Sequence, residues 1–400
     1  MPSAPRAHAA AATGAAVGVA AWAAYYVLRC RLPPSVRAGP TALNAALLAR
    51  LPALRAPYAP PIWAFNAWVQ LIVYVYRQSK LPRNPPFRRE TLTTADGGTV
   101  ALDWWHDEPA APDAPVLLVL HTITGTSRDF IDLARLAAAR GWRVAVCLRR
   151  GHLDVPLTSP RCNLLGSTAD LRLQVAAVRA RHPGAPLLMV GASAGTGLLV
   201  RYLGEEGSAS TVAAAVAVCP GYDTSEGGAF SRFSPVLDRH ILAACKAFFL
   251  RRQNHDMLSA VPGYDRLRSA RSIADYQRQS FALEGYADVD ALHAGTNPMG
   301  VARAIRTPLL VINAADDPVC DVSNVHDNAA LYDEPHDRML LLTSRGGHCT
   351  FYEGKLWPGG SWADRVALDY LQEVLQLRAE AAGATNKGST QAPAEAVASA

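Results

Sequence analysis

Leu187-Leu188-Met189-Val190-Gly191-Ala192-Ser193-Ala194-Gly195-Thr196-Gly197 is the stretch that decides the reading of the chain. Its apolar start predicts a buried strand, Gly-Ala-Ser-Ala-Gly follows at once, and Leu198 to Gly204 has the spacing of a helix with an early apolar face. Strand, sharp turn and helix give a Gly-x-Ser-x-Gly pattern its meaning, a serine held on a strained elbow at a strand end. Gly191 and Gly195 let strand and helix approach closely enough for that backbone to form. Ser193 is therefore the candidate nucleophile.

Outward from the elbow, strand and helix alternate. Upstream, Glu90 to Trp104 reads as two alternating strands joined by Asp96-Gly97-Gly98, a hairpin signature. Val116 to Leu120 is an unbroken apolar run of the kind found in buried parallel strands. Phe130 to Arg140 has helical spacing, Arg143 to Leu148 is a strand, and Leu164 to Arg181 is helical. Downstream, Val212 to Val218, Leu309 to Asn313 and Met339 to Thr343 are strands, and Trp362 to Leu377 is a closing helix. The pattern implies an α/β class, with a mostly parallel sheet covered by helices on both faces. Only Gly221 to Arg306 breaks the rhythm. It has helical stretches at Val236 to Arg252 and Ile273 to Leu283 and sits between two core strands, where a cap over a site would be inserted.

A serine hydroxyl needs a base to take its proton and an acid to orient that base. In open α/β sheets such groups stand at the carboxyl ends of strands. After Leu309 to Asn313 come Asp316 and Asp317, and after Met339 to Thr343 come Gly346-Gly347-His348. The order Ser193, Asp, His348 is that of an α/β-hydrolase triad. Asp317 is preferred as the acid because Pro318-Val319 follows it, with Asp316 as the alternative or as an acceptor for loop amides. His121, after the Val116 to Leu120 strand, reads as a loop brace. The developing oxyanion needs two amide donors. They are expected from Ala194, next to the nucleophile, and Ile123, in His121-Thr122-Ile123-Thr124-Gly125. No phosphate-binding loop, HExxH motif or metal cluster is visible in the sequence, and no nucleic-acid motif accompanies the basic N-terminus. Neither cofactor nor metal is expected.

The net charge of +5 hides an asymmetry. Met1 to Arg89 holds eleven Lys or Arg and no Asp or Glu, so the rest of the chain is net acidic. Ala9 to Leu28 is an uncharged stretch long enough to span a bilayer, ending at Arg29, Arg31 and Arg37. Those arginines would keep the following domain cytosolic. Two readings compete with a single-pass anchor: a cleaved signal peptide, for which Tyr25 to Arg29 is a poor site, and a plastid or mitochondrial transit peptide, which fits the Arg-rich, acid-free composition. Ile62 to Tyr76 is too short and too aromatic for a second span and reads as an interfacial or core-packed helix. The seven scattered cysteines, odd in number, read as reduced and buried. The expected divisions are an anchor and juxtamembrane region over 1–85, a catalytic domain over 86–378 with its cap at about 221–306, and a disordered tail over 379–400.

The sequence resembles the membrane-anchored α/β-hydrolase-domain lipases, a family that includes medium-chain fatty-acid ethyl-ester synthases. The resemblance runs from about Pro86 to Leu377 and takes in the N-terminal anchor. It rests on HTITGTSRDF from His121, RRGH at Arg149 to His152, ADLRLQVAAVRARHP from Ala169, GASAG with LLVRYLGEEG, INAADDPV and GGHCTFYEG. It implies an α/β-hydrolase fold with a helical cap, and a membrane protein that cleaves or transfers acyl groups on lipid esters without a cofactor. Ser193, Asp317 and His348 fall on the triad positions. Thr122 stands where the family usually has glycine, and Ala194 where many members carry Met. The expectation is a serine hydrolase of carboxylic acyl esters, with two rivals: an acyltransferase that passes the acyl group to an alcohol, and a non-catalytic membrane-anchored binding protein of the same fold.

Overall fold

Each strand expected from the apolar runs forms in the computed structural model, which describes residues 4–82, 84–106, 111–152, 155–164 and 167–389. The strands are β1 (Ser35–Ala38), β2 (Phe87–Thr93), β3 (Thr99–Trp105), β4 (Val116–Leu120), β5 (Arg143–Leu148), β6 (Leu187–Ala192), β7 (Val212–Val218), β8 (Leu309–Ala314) and β9 (Arg338–Thr343). They make one sheet in the order β1-β9-β8-β7-β6-β4-β5-β3-β2. The run from β5 to β9 is parallel throughout, and antiparallel partners occur only at the two ends.

The central strands β4, β6 and β7 carry no polar side chain because both faces are covered, and side-chain alternation divides them between two cores. Leu188, Val190 and Ala192 of β6 join Leu117 and Val119 of β4 on the face covered by the Trp362–Ser389 helix. Leu187 and Met189 join Val116, Leu118 and Leu120 on the face covered by the Thr168–Arg181 and Ala194–Glu206 helices. Each fully buried Leu or Val contributes about 1.5–3 kcal/mol. This double burial is why the sheet interior was readable from apolar runs.

Five helices fill the interval between β7 and β8, among them Pro235–Phe249 and Ile273–Gln279. They form a third apolar cluster around Phe249, Leu267 and Tyr276, with Ile123 and Ala194 packed against it. This is the expected cap, seated over the elbow.

Three findings depart from expectation at the termini. β1, which lies upstream of residue 86, pairs antiparallel with β9, Val36 opposite Leu341. A four-residue edge strand carries no apolar run to announce it. The bilayer span expected at Ala9 to Leu28 is not shown. The segment is helical over Ala4–Tyr25 and continues through a π turn at Tyr26–Cys30, but among the described residues no helix is long and apolar enough to cross a membrane. Alanine and glycine dominate it, and each buries too little apolar surface to replace a leucine. In the tail expected to be disordered, Ala379 to Ser389 continues the closing helix, and 390–400 lie outside the described residues.

The Ile62 to Tyr76 segment yields the helix Ala67–Lys80, capped at Asn66. Ala67 and Gln70 are buried, and the Gln70 side chain accepts from the Tyr352 amide at 2.9 Å. Trp68, Ile72, Val75 and Tyr76, at helical spacing on another face, are exposed.

Candidate active site

Ser193 sits directly after β6 with φ 50° and ψ −120°, outside the regions an L-residue favours. Strain of this kind costs about 1–3 kcal/mol and persists only where the surroundings impose it. Here the Ser193 amide donates to Val218 O at 2.9 Å, and the Ala194–Glu206 helix begins at the next residue. A Cβ on Gly195 would collide with the Leu120 carbonyl, so only glycine lets the helix lie this close to β4.

His348 follows β9. Its Nε2 is 2.8 Å from Ser193 Oγ, and its Nδ1 is 2.9 Å from Asp317 Oδ2. Asp317 Oδ1 accepts from the amides of Val319 and Cys320 at 2.8 and 2.9 Å, which fixes the carboxylate. Burial works against an imidazolium at His348, but the charge and hydrogen bond of Asp317, joined by Cys320 and Cys219, together outweigh it and carry the ring well above its usual value. Asp316 faces elsewhere. It accepts from the Gly347 amide at 3.1 Å and lies 3.7 Å from Arg345, so it holds the loop and does not touch the ring.

The loop after β4 approaches from the opposite side. Arg149 is buried and donates to Thr122 O at 2.7 Å and to Leu164 O at 2.5 Å. His121 donates from Nδ1 to the same Thr122 carbonyl at 2.8 Å and accepts at Nε2 from the Arg149 amide at 3.4 Å. Across a trans peptide the C=O and N–H point in opposite directions. Fixing the Thr122 carbonyl on Arg149 therefore turns the Ile123 N–H away from it. His152 packs against His121 with the rings tilted and their centroids 4.5 Å apart, and its Nε2 is 3.0 Å from Ile123 O. Burial, reinforced by the Arg149 charge, pushes both imidazoles well below their usual value and keeps them neutral. Burial also lowers Arg149, to about 10, which leaves it cationic at neutral pH. Arg149 and His152 had no assigned role in the sequence. The Arg-Arg-Gly-His run after β5 was the signal that marked them.

Ile123 and Ala194 line the same cavity as Ser193. Ala194 opens a helix, so its amide belongs to a first turn without intrahelical acceptors. The remaining walls are apolar and come largely from the cap and its margins, with Phe230, Phe233, Ile241 and Met299 among them. A second, polar cavity of about 490 Å³ reaches Cys349 from the other side, past Tyr74, Arg128 and Asp129. The first arrangement offers a hydroxyl with a base, a fixed counter-charge behind the base, and an apolar space for a chain.

The comparisons with known proteins agree with this architecture. The Hydrolase_4 family, described as Serine aminopeptidase, S33, matches residues 110–355. The chain is 29% identical over 369 residues to Phospholipase ABHD3 of Mus musculus, covering 89% of this chain and 88% of that one. It is 26% identical over 383 residues to Monoacylglycerol lipase ABHD2 of Mus musculus, covering 88% and 89%. It is 32% identical over 305 residues to Protein ABHD15 of Homo sapiens, covering 73% and 64%. With its parallel sheet, its elbow serine and its cap, the chain belongs to the Hydrolase_4 family of α/β-hydrolases, among the α/β-hydrolase-domain lipases and esterases.

Proposed function

We propose that this protein hydrolyses carboxylic acyl esters, lipid esters in particular, through an acyl-enzyme on Ser193. The observation that carries the reading is the unbroken pair of hydrogen bonds from Ser193 through His348 to Asp317, beside an apolar cavity that Ser193 itself lines. His348 Nε2 takes the Ser193 proton as Oγ attacks the ester carbonyl, and Asp317 stabilises the imidazolium that forms. The oxyanion accepts from the amides of Ala194 and Ile123. His348 then protonates the departing alcohol, and water repeats the sequence to release the acid. An alcohol in place of water would make the same intermediate an acyl donor. Relatives named phospholipase and monoacylglycerol lipase support a lipid ester as substrate.

A membrane surface is the partner this reading calls for. Trp68, Ile72, Val75 and Tyr76 form an exposed apolar stripe beside Trp63 and the loop of Leu356 and Trp357, where Trp63 Nε1 donates to Leu356 O. Arg77 and Lys80 end the same helix. Aromatic and aliphatic side chains beside basic ones suit the headgroup boundary, so this face is the one that rests on the bilayer. Tyr25 ties the N-terminal helix to this face: its ring packs on Phe65 and its hydroxyl accepts from Arg345, three residues before His348.

The test is fluorophosphonate labelling of wild type and Ser193→Ala, followed by turnover of p-nitrophenyl esters of increasing chain length. Labelling lost in the variant, with turnover rising toward longer chains, is the expected result. A folded wild type that takes no label would leave the binding-scaffold reading in its place. Comparing release of free acid with transfer to a long-chain alcohol separates hydrolysis from acyl transfer.

A further inference from the structure

Hydrolysis by this route makes no use of the sulfur around its base. Cys219 follows β7 and Cys349 follows His348, and both adopt left-handed backbone conformations, φ 53° and 58°. Those turns bring the two thiols together: the Cys349 amide donates to Cys219 Sγ at 3.3 Å, and Cys349 Sγ lies 3.6 Å from Val218 O. The two sulfurs and a ring nitrogen of His348 all lie within 4.8 Å of one another. Neither cysteine is in a disulfide. Cys349 also forms part of the wall of the polar cavity, whose lining shares no residue with that of the acyl cavity.

We propose that Cys219, Cys349 and His348 form an inhibitory site for a soft divalent cation of the zinc type. Two thiolates and an imidazole are a donor set that zinc binds in preference to magnesium or calcium. Bond lengths of roughly 2.0–2.3 Å put tetrahedral donors about 3.3–3.8 Å apart, so shifts on the order of 1 Å close the present arrangement onto one ion. Binding forms two metal–sulfur bonds and one metal–nitrogen bond. It breaks two S–H bonds and, where the ring is an imidazolium, one N–H bond, and releases these protons to solvent with no change of oxidation state.

Each ring nitrogen of His348 already has a partner, Ser193 at Nε2 and Asp317 at Nδ1. Whichever nitrogen the cation takes, one of those two links is lost and Ser193 can no longer be deprotonated. Asp317, Cys320 and His348 form a second cluster around the same ring. It offers one thiol only, and its carboxylate is already held by the two amides of its own loop. The softer set is the better site.

Zinc binding does not depend on the proposed hydrolysis, but the inhibition does, so the two are measured separately. Zinc chloride is titrated into the full chain without thiol reagents. Bound metal is counted by equilibrium dialysis, and fluorophosphonate labelling of Ser193 is timed in the same samples. The expected result is one tightly bound zinc per chain, with labelling slowed about tenfold or more and restored by a chelator. Magnesium should do neither. Cys349→Ala should label at the wild-type rate and bind zinc roughly a hundredfold more weakly, and Cys219→Ala should repeat the loss of metal. Ser193→Ala should still bind zinc, so an inactive enzyme does not hide the site. Undiminished zinc binding in Cys349→Ala would overturn the proposal, as would inhibition reversed by a phosphine reductant and not by a chelator.

Discussion

The His121–Thr126 loop and the Arg345–Thr350 loop reach Ser193 from opposite sides and are held by opposite charges. Behind the first stands a buried arginine, Arg149, with two imidazoles that burial keeps neutral. Behind the second stand two carboxylates, Asp316 on the backbone and Asp317 on the ring of His348. The tetrahedral intermediate of acyl transfer carries its oxyanion on one side of the nucleophile and its imidazolium on the other. Positive charge behind the amides and negative charge behind the base match that separation before any substrate arrives. Preorganised dipoles and charges of this kind need no rearrangement at the moment of reaction. The difference between the two loops is therefore the feature to attack experimentally.

The largest effect is expected where the loops converge. Ser193→Ala should lower kcat for a p-nitrophenyl ester by a factor on the order of 10⁶ with Tm unchanged, since alanine keeps the elbow and loses only the hydroxyl. Retention of most of the turnover would mean that neither loop serves the chemistry.

On the carboxylate side, Asp317→Asn should cost on the order of 10⁴ in kcat. It should also move the acid limb of the pH–rate profile. The base must be neutral to act, and Asp317 raises His348 above its ordinary value, so the wild-type limb should lie above about 6.5. With that charge removed, burial is the dominant influence left and favours the neutral ring, so the limb of the variant should fall to lower pH. A limb that stays in place would show that Asp317 does not set the base.

On the arginine side, Arg149→Gln should lower kcat on the order of 10² and leave KM nearly unchanged, as expected when an oxyanion loop loses its alignment. The acid limb should not move, because Arg149 holds carbonyls of the other loop and makes no contact with His348. A limb that shifts as far as in Asp317→Asn would erase the distinction between the two sides.

How much of this was legible in the sequence follows from burial. β4, β6 and β7 are covered on both faces and apolar throughout, and β8 and β9 are apolar but for Asn313, Arg338 and Thr343, so each could be read to within a residue or two. The residues now found in contact, Ser193, Asp317 and His348, each follow such a strand, and chain order with strand ends was enough to single them out. β1 escaped because an edge strand of four residues shows only Val36 and Ala38 to the core. The role of Arg149 was hidden for a different reason. Its partners are backbone carbonyls, which carry no side-chain identity to pair it with. The thiol pair escaped in the same way: Cys219 and Cys349 lie far apart in sequence at scattered spacing, and only the parallel order of β7, β8 and β9 brings their turns together.

The smallest effect should come from a change that touches neither loop. Ile241, on the cap helix Pro235–Phe249, lines the acyl cavity and hydrogen-bonds to none of the residues of either loop. Replacing it with tryptophan adds a bulky indole to a space whose other walls, Phe230 and Phe233, are themselves rigid aromatics in edge-to-face contact. The cavity should shorten without disturbing the charges at its mouth. Hydrophobic pockets discriminate weakly per methylene, so kcat/KM for long-chain p-nitrophenyl esters should fall about tenfold relative to the acetyl ester, with the acetyl rate and the pH profile unchanged. A uniform loss across all chain lengths would mean that the indole had shifted the elbow itself, because only the shared site affects every substrate equally. A selective loss would assign chain length to the cap and chemistry to the two loops, a division of labour that the opposed charges make possible.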